Sequence, residues 1–214
     1  MLQQEEGSTR YRLVQLLKTR GELSIGELSK ELTITEVAVR RHIHTLERDG
    51  LIRSTLVRQA MGRPSSRYAL TERADDLFPK NYPHLTIELL SELEEAAGAE
   101  MVDRLFLGRR DKLAARYAKR MEGRSLEEKV AELSSIQNAG GYMTEWEPSE
   151  EAGSFRLYEY NCPIAQVAGR YRQACQCEKS LFRQLLGAEV ERTECLADGG
   201  IRCAYAIKQS SASP

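Results

Sequence analysis

The stretch from Arg20 to Ile52, RGELSIGELSKELTITEVAVRRHIHTLERDGLI, decides the fold of the first part of the chain. Leu28 and Leu32 lie four residues apart and predict a helix over 25–32. After a short turn, a second helix is predicted from about 36 to 49, and its buried stripe consists of Val39, Ile43 and Leu46. Two short helices joined by a tight turn are typical of a helix-turn-helix motif.

The segments on either side extend this motif to a winged helix-turn-helix domain. Ser8 is placed to cap an earlier helix, whose apolar positions continue to Leu17. Beyond Gly50, two short apolar runs at 51–59 and 67–70 flank a turn-forming segment at 61–66. Because three helices followed by a hairpin give the winged helix-turn-helix order, we assign this domain to residues 1–80.

The apolar stripe leaves the other faces of the second motif helix free to contact DNA. Arginine can reach guanine O6 and N7 in the major groove, and an arginine at the hairpin tip can reach a phosphate or the minor groove. Taken alone, Arg40 and Arg41 fit a solvated basic helix as well, but the complete order of elements favours DNA binding. The predicted DNA contacts are Thr35, Arg40, Arg41, His44, Thr45 and Arg63.

The charge is divided in the same way as the predicted domains. Residues 1–70 contain 12 Lys and Arg against 8 Asp and Glu, a net charge of +4. Residues 71–214 contain 19 against 24, a net charge of −5. A basic N-terminal part joined to an acidic remainder is the asymmetry expected of a nucleic-acid-binding domain attached to a second domain.

The remainder of the chain predicts two further parts, which make the protein α+β in class. Residues 81–123 are strongly helical, and we expect this linker region to form the contact of a homodimer, because paired half-sites on DNA require a two-fold protein. The alternative is that these helices cover the core of their own domain. Residues 124–208 read as helix, two strands, helix and two strands, a small α+β sensor domain.

All five cysteines lie in this last part: Cys162, Cys175, Cys177, Cys195 and Cys203. Thiolates are soft ligands that select zinc, copper(I) or iron–sulfur clusters. The spacing is neither that of a zinc ribbon nor that of a two-cluster ferredoxin, and no histidine lies near the cysteines in sequence. An iron–sulfur cluster, zinc or another metal, redox thiols and plain buried cysteines all remain open at this point.

A shared centre places one condition on the backbone. A continuous helix of 13 residues spans about 20 Å, which would hold Cys162 and Cys175 too far apart to share one centre. We therefore expect a break in the helix before Cys175. Cys203 alternates with Tyr205 and Ile207, which predicts that these three side chains share one face of a strand.

Two groups of residues carry a resemblance to a known family. The run NCPIAQVAGRY from Asn161, then Cys175, Glu178 and Leu181-Phe182, and then LLGAEVERTECLADGGIRCAYAI over 185–207 resemble the C-terminal half of the SufR-type regulators. The opening stretch and the wing GRPSSRYALT over 62–71 are similar to the winged helix of the same group, within the wider ArsR/DeoR-like regulators. The Cys-x12-Cys pair led by Asn-Cys-Pro is the more specific part.

The resemblance implies a homodimeric repressor that carries an iron–sulfur cluster on cysteine thiolates, and whose DNA affinity changes when the cluster is lost or altered. It implies Cys162, Cys175 and Cys203 as ligands, with the cluster of 4Fe–4S or 2Fe–2S type. The family's remaining cysteine falls where this chain has Glu189, Cys195 lies further along that strand, and Cys177 is additional. We take Cys195 as the fourth ligand, with Cys177 and Glu189 as alternatives and zinc as the alternative metal.

Other functional classes find less support in the sequence. No apolar run approaches the length needed to span a bilayer, and the polar N-terminus is unlike a secretory signal, so we expect a cytoplasmic protein with no membrane partner. No nucleophile and base accompany each other, so we expect no enzyme. Two alternatives to cluster sensing are a zinc-binding or oxidant-sensing regulator using Cys175-Gln-Cys177, and an apolar ligand pocket lined by Trp146, Phe155 and Tyr160.

Overall fold

The structure, a computed structural model, describes residues 8–58 and 64–209 and divides into two units, Met1–Lys80 and Asn81–Pro214. Within the described residues, the first unit consists, in chain order, of α1 (Thr9–Arg20), β1 (Leu23–Ser24), α2 (Ile25–Leu32), α3 (Glu36–Arg48), β2 (Ile52–Val57), β3 (Ser65–Leu70) and a 3-10 turn at Glu72–Leu77.

Polar side chains fix where the helices of the first unit begin. The Ser8 Oγ accepts a hydrogen bond from the Tyr11 N–H at 3.2 Å and caps α1. Ser24 and Glu27 form a reciprocal capping box at the start of α2. The Thr35 Oγ1 accepts from the Ala38 N–H at 3.3 Å and caps α3. These caps satisfy N–H groups that the helices themselves leave without partners.

A small antiparallel sheet completes the first unit. Its strand order is β1-β3-β2. Next to the sheet, the Thr71 Oγ1, just after β3, donates a hydrogen bond to the Gly50 carbonyl, just before β2, at 2.7 Å. The predicted winged helix-turn-helix order is therefore confirmed. Its buried core includes the predicted stripes of α2 and α3: Leu28, Leu32, Val39, Ile43 and Leu46.

The second unit is a four-stranded sheet covered by helices. Its elements are α4 (Tyr82–Ala97), α5 (Ala99–Met121), α6 (Leu126–Ala139), β4 (Thr144–Pro148), β5 (Ser154–Glu159), α7 (Ala165–Arg170), α8 (Gln173–Leu186), β6 (Ala188–Glu194), a 3-10 turn at Leu196–Asp198 and β7 (Cys203–Gln209). The sheet is antiparallel with the order β4-β5-β7-β6. The α+β class is confirmed.

The core of the second unit lies between this sheet and α5, α6 and α8. The rings of Phe182 on α8 and Tyr205 on β7 meet edge to face at 4.9 Å, and both are buried. Cys203, Tyr205 and Ile207 belong to the same core, so the prediction that they share one strand face is confirmed. Burial of such side chains is the main stabilising contribution to folding.

The helix break expected before Cys175 is also confirmed. Helix α7 ends at Arg170, and α8 begins at Gln173. The further division of the second unit into a dimerisation region, 81–123, and a sensor domain, 124–208, stays a prediction. Among the described helices, none has a stretch long and apolar enough to span a bilayer.

Candidate nucleic-acid interface and candidate metal centre

The exposed face of α3 lies opposite its buried stripe and carries most of the predicted DNA contacts. Arg41 and His44 are exposed, and Thr45 is half-buried. A groove of about 730 Å³ runs between this face and the start of α1. It is lined by Ser8, Thr9, Arg10, Thr35, Val37, Ala38, Arg41, His42 and Thr45.

Two predicted contacts are engaged within the protein, and one lies outside the described residues. Arg40 forms an ion pair with Glu36 one turn earlier on α3, at 2.8 Å between Arg40 Nη2 and Glu36 Oε2. Thr35 uses its hydroxyl as the helix cap, although it remains exposed. Arg63, predicted at the wing tip, falls in the segment 59–63 that the structure does not describe.

The structure adds three residues to this face that the sequence reasoning missed. Val37 is 76% exposed, four residues before Arg41, although it is apolar. His42 and Arg10 line the groove, and the Arg10 Nε is buried without a hydrogen-bond partner in the described part of the chain. Val37 was visible in the sequence as an apolar residue outside the stripe; Arg10 was not, because its position depends on how α1 packs on α3.

The cysteines form the second candidate site. Cys175, Cys195 and Cys203 are buried in one core, and Cys162, which precedes α7, is half-buried. Cys175 and Cys195 interact electrostatically within this core. Cys162 interacts electrostatically with Cys195, so the structure brings all four predicted ligands into one neighbourhood.

Backbone and cationic groups face these sulfur atoms. The Leu196 N–H donates to Cys203 Sγ at 3.4 Å, and the Ile164 backbone lies beside Cys162, two residues earlier in the chain. Arg192 Nη1 donates to the Cys175 carbonyl at 3.0 Å, and its positive charge interacts with Cys195 and Cys175. Hydrogen bonds to sulfur are one of the means by which proteins tune iron–sulfur clusters, so this donor set fits such a group in kind.

The two alternative ligands lie elsewhere. Cys177 is directed toward Arg109 and Arg110 on α5. Glu189 is exposed on the outer face of β6, where it lines a separate groove with Lys179 and Lys208. As the side chains stand in residues 8–58 and 64–209, no three His, Cys, Asp or Glu side chains are arranged to hold a metal ion.

Burial favours the protonated form of four of the five thiols. It raises the pKa of Cys175 to about 11 and that of Cys203 to about 12, and it also raises the pKa of Cys162 and Cys177. A thiol with a raised pKa is a poor nucleophile at neutral pH, because the thiolate is the reactive form. The arrangement therefore suits ligands that lose their protons to a metal better than freely reactive thiols.

A buried carboxyl pair adjoins the cysteines, and sequence reasoning missed it entirely. Glu159 on β5 is 1% exposed, is the cross-strand partner of Cys203, and accepts from Gln137 Nε2 at 2.7 Å. Tyr205 OH donates to Glu178 Oε2 at 3.0 Å. Burial, and then the charge of Glu178, raise the pKa of Glu159 to about 9, and burial also raises the pKa of Glu178.

This carboxyl gives a testable pH dependence. The folded protein holds a proton on Glu159 that the unfolded chain releases above about pH 4. The free energy of unfolding should therefore fall as the pH rises from there toward 9, by up to about 1.4 kcal/mol per pH unit. Urea unfolding at pH 6 and pH 8 measures this loss, which should be smaller in Glu159→Gln; an equal loss in both proteins contradicts the assignment.

The aromatic pocket considered as an alternative is not formed. Trp146 and Phe155 pack against each other with ring centroids 5.9 Å apart, and Phe155 belongs to the core. Tyr160 is exposed. Trp146 and Phe155 therefore contribute to packing instead of enclosing a ligand.

Comparison with known proteins bears on the first unit. Residues 7–55 match a family model described as a helix-turn-helix domain. The first unit contains a helix-turn-helix domain. The match covers α1, α2 and α3, so the exposed face described above belongs to the third helix of that domain. No curated protein matches the chain.

Several solved structures are similar to part of the chain. Reduced HlyU from Vibrio cholerae is 30% identical over 43% of this chain and 82% of its own, with a TM-score of 0.27. A ZitR mutant from Lactococcus lactis in complex with DNA is 23% identical over 44% of this chain and 64% of its own, with a TM-score of 0.29. A MarR family transcriptional regulator from Silicibacter pomeroyi is 17% identical over 54% of this chain and 75% of its own, with a TM-score of 0.32. TM-scores this low do not establish a common overall fold.

Proposed function

We propose that this protein is a transcriptional regulator that binds a double-stranded DNA operator through α3. The observation that carries the proposal is the exposed face of α3 in a helix-turn-helix domain, with Arg41 and His44 free of the core. A helix presented in this way enters the major groove, where such side chains contact base edges. Arg10, at the edge of the same groove, is suited to a phosphate, since phosphate contacts set the register of the protein on DNA.

We further propose that an iron–sulfur cluster on Cys162, Cys175, Cys195 and Cys203 controls this binding. Three of these side chains are buried together, and Arg192 supplies a positive charge to offset the negative charge of thiolate ligands. Because Cys177 and Glu189 are directed elsewhere, Cys195 is the best-placed fourth ligand. When bound, the cluster supplies a redox- and oxygen-sensitive bond between segments that are distant in sequence. The sequence resemblance favours a repressor, and nothing in this role requires enzymatic chemistry.

The signal reaches DNA through the folding of the thiol-bearing segments. Ligand thiols must lose their protons and converge, so cluster binding stabilises the segment before α7 together with the turn between β6 and β7. Without a cluster, burial favours the protonated form of Cys162, Cys175 and Cys203, because it raises the pKa of each. A coupling of 1–3 kcal/mol between the two sites corresponds to about 5- to 150-fold in operator affinity, which is enough to switch a promoter.

Anaerobic purification of the full chain tests both parts of the proposal. The expected protein is brown, contains iron and acid-labile sulfide, and binds a DNA sequence selected in vitro with an affinity that changes when a chelator and an oxidant remove the cluster. Equal affinity with and without the cluster contradicts the sensing role. Absence of binding to any selected sequence contradicts the regulatory role.

A second candidate is a thiol-based switch, and one observation favours it. Cys175 and Cys195 lie in one buried core and interact electrostatically, so two-electron oxidation by hydrogen peroxide would join their thiols as a disulfide, with release of two waters. This pairing differs from the Cys175–Cys177 pair considered from sequence, since Cys177 is directed toward α5. A colourless protein in which peroxide links Cys175 to Cys195, as mapped by mass spectrometry, supports this candidate over the cluster.

The proposed regulator is a homodimer whose contact includes α4. On this helix, Leu85 is 51% exposed and Leu89 is 61% exposed, an arrangement unfavourable for apolar side chains left in water. We expect Leu89→Glu to convert the dimer to a monomer, and Glu95→Gln, on another face of the same helix, to leave it a dimer. Light scattering on the full chain distinguishes the mass of a monomer from that of a dimer. A monomeric wild-type protein refutes this contact.

A further inference from the structure

A groove in the second unit has the composition of a ligand site. It encloses about 380 Å³ between α4, α5 and the segment after Cys162, a volume within the usual range for small-molecule pockets. Its lining is apolar apart from Arg109 and the hydroxyl groups of Tyr82 and Thr86. The lining residues are Tyr82, Pro83, Thr86, Leu90, Leu105, Phe106, Arg109, Pro163, Ile164 and Val167.

Arg109 is the charged residue of this lining, and its charge also interacts with the buried Glu178. It forms no ion pair within the described part of the chain, unlike its neighbour Arg110, which pairs with Asp111 at 2.7 Å and donates to Ser180 at 3.3 Å. A guanidinium beside an apolar wall matches a molecule that has an apolar body and one anionic head. The Tyr82 hydroxyl offers a further hydrogen bond, whereas the Thr86 hydroxyl donates to the Tyr82 carbonyl at 2.7 Å.

We propose that this groove binds a small amphipathic carboxylate, with its chain against Leu90, Leu105 and Val167 and its carboxylate on Arg109. This occupant fits better than a helix of another protein, because the lining has a single cation and the volume lies in the range of small-molecule sites. None of the four proposed thiol ligands lines this groove, whereas Arg109 also lines a neighbouring groove with Glu178 of the carboxyl pair.

The groove is nevertheless connected to the thiols by the backbone. Pro163 and Ile164 line it, and they follow Cys162 directly in the chain. A molecule that presses on Ile164 therefore acts on the segment that carries Cys162. A ligand in this groove would therefore be a second signal that acts on the same unit. Its binding requires neither DNA nor a cluster.

Calorimetric titration of the full-length protein with decanoate tests the proposal. The decanoate is kept below the concentration at which it forms micelles. We expect binding to the wild-type protein, a loss of about tenfold or more in Arg109→Gln, and no such loss in Arg110→Gln, which removes the same charge one residue away. Decanol, which lacks the anionic head, should bind the wild type and Arg109→Gln with similar affinity. Leu105→Trp, which fills the groove from a partly exposed position, should weaken both ligands.

Three outcomes overturn the inference. The first is that decanoate does not bind the wild-type protein. The second is that Arg109→Gln and Arg110→Gln behave alike, or that Leu105→Trp binds decanoate normally, because the ligand then lies elsewhere. The third is that light scattering shows decanoate dissociating a dimer, because the groove is then covered by a second copy of the chain. Each outcome leaves DNA binding and cluster loading to be judged by their own measurements.

Discussion

Cys203→Ser is expected to abolish the visible absorption of the anaerobically purified protein and to change its operator affinity by about 5- to 150-fold, the full range of the proposed coupling. Cys203 begins β7, and its sulfur accepts the Leu196 N–H at 3.4 Å, so the hydroxyl of serine can occupy the same space and accept the same hydrogen bond. The substitution therefore removes a soft ligand while leaving a similar shape.

The expected size of the effect follows from the position of Cys203. Its pKa is raised to about 12 by burial, so a metal or cluster is needed to stabilise the thiolate there. Without that ligand, the strand that carries Cys203 and the segment that carries Cys162 are no longer joined through a common centre. Iron and sulfide content, the absorption spectrum and DNA affinity should change together.

Cys177→Ser is the matched control. Cys177 is also buried, and it lies two residues from Cys175 on α8, but it is directed toward Arg109 and Arg110. Its replacement should leave the iron content and the operator affinity of the protein close to those of the wild type. Loss of the cluster in Cys177→Ser but not in Cys195→Ser would instead make Cys177 the fourth ligand. Retention of the full absorption spectrum by Cys203→Ser would refute the proposed centre.

The features that sequence predicted well are those set by local periodicity. The stripe of Val39, Ile43 and Leu46 fixed which face of α3 is buried, because residues three and four apart share one face of a helix. The break before Cys175 was predicted from a distance argument, since a rigid helix spans a known length. Alternation also contained a signal that was not used: Ala188 and Val190 face the core, so Glu189 between them must face outward.

The features that sequence missed depend on contacts between distant segments. Glu159 and Glu178 come from a strand and a helix, and their proximity follows from the register of β5 on β7 and from the packing of α8 on that sheet. No local pattern marks two carboxyls as buried, because such residues are usually exposed. The ion pair of Arg40 with Glu36, by contrast, follows from their i, i+4 spacing and was predictable.

Arg41→Ala should weaken binding to the selected operator by about 1–3 kcal/mol, or about 5- to 150-fold, the usual cost of losing a side chain that reads a base. Arg41 lies opposite the buried stripe of α3 and forms no ion pair in the described residues, so its guanidinium is free to meet DNA. Competition binding against operators altered one base pair at a time measures both the loss and any relaxation of specificity.

Arg40→Ala provides the comparison, because it removes the same charge from the next position on the helix. Arg40 would have to give up its ion pair with Glu36 to contact DNA, so we expect its loss to cost less than that of Arg41. If Arg41 contacts only a phosphate, its replacement will weaken binding to all DNA sequences equally. The slope of the logarithm of the affinity against the logarithm of the salt concentration will then fall by about one. If Arg40→Ala is the more damaging change, α3 enters the groove on its Arg40 side, and the face assigned here is wrong.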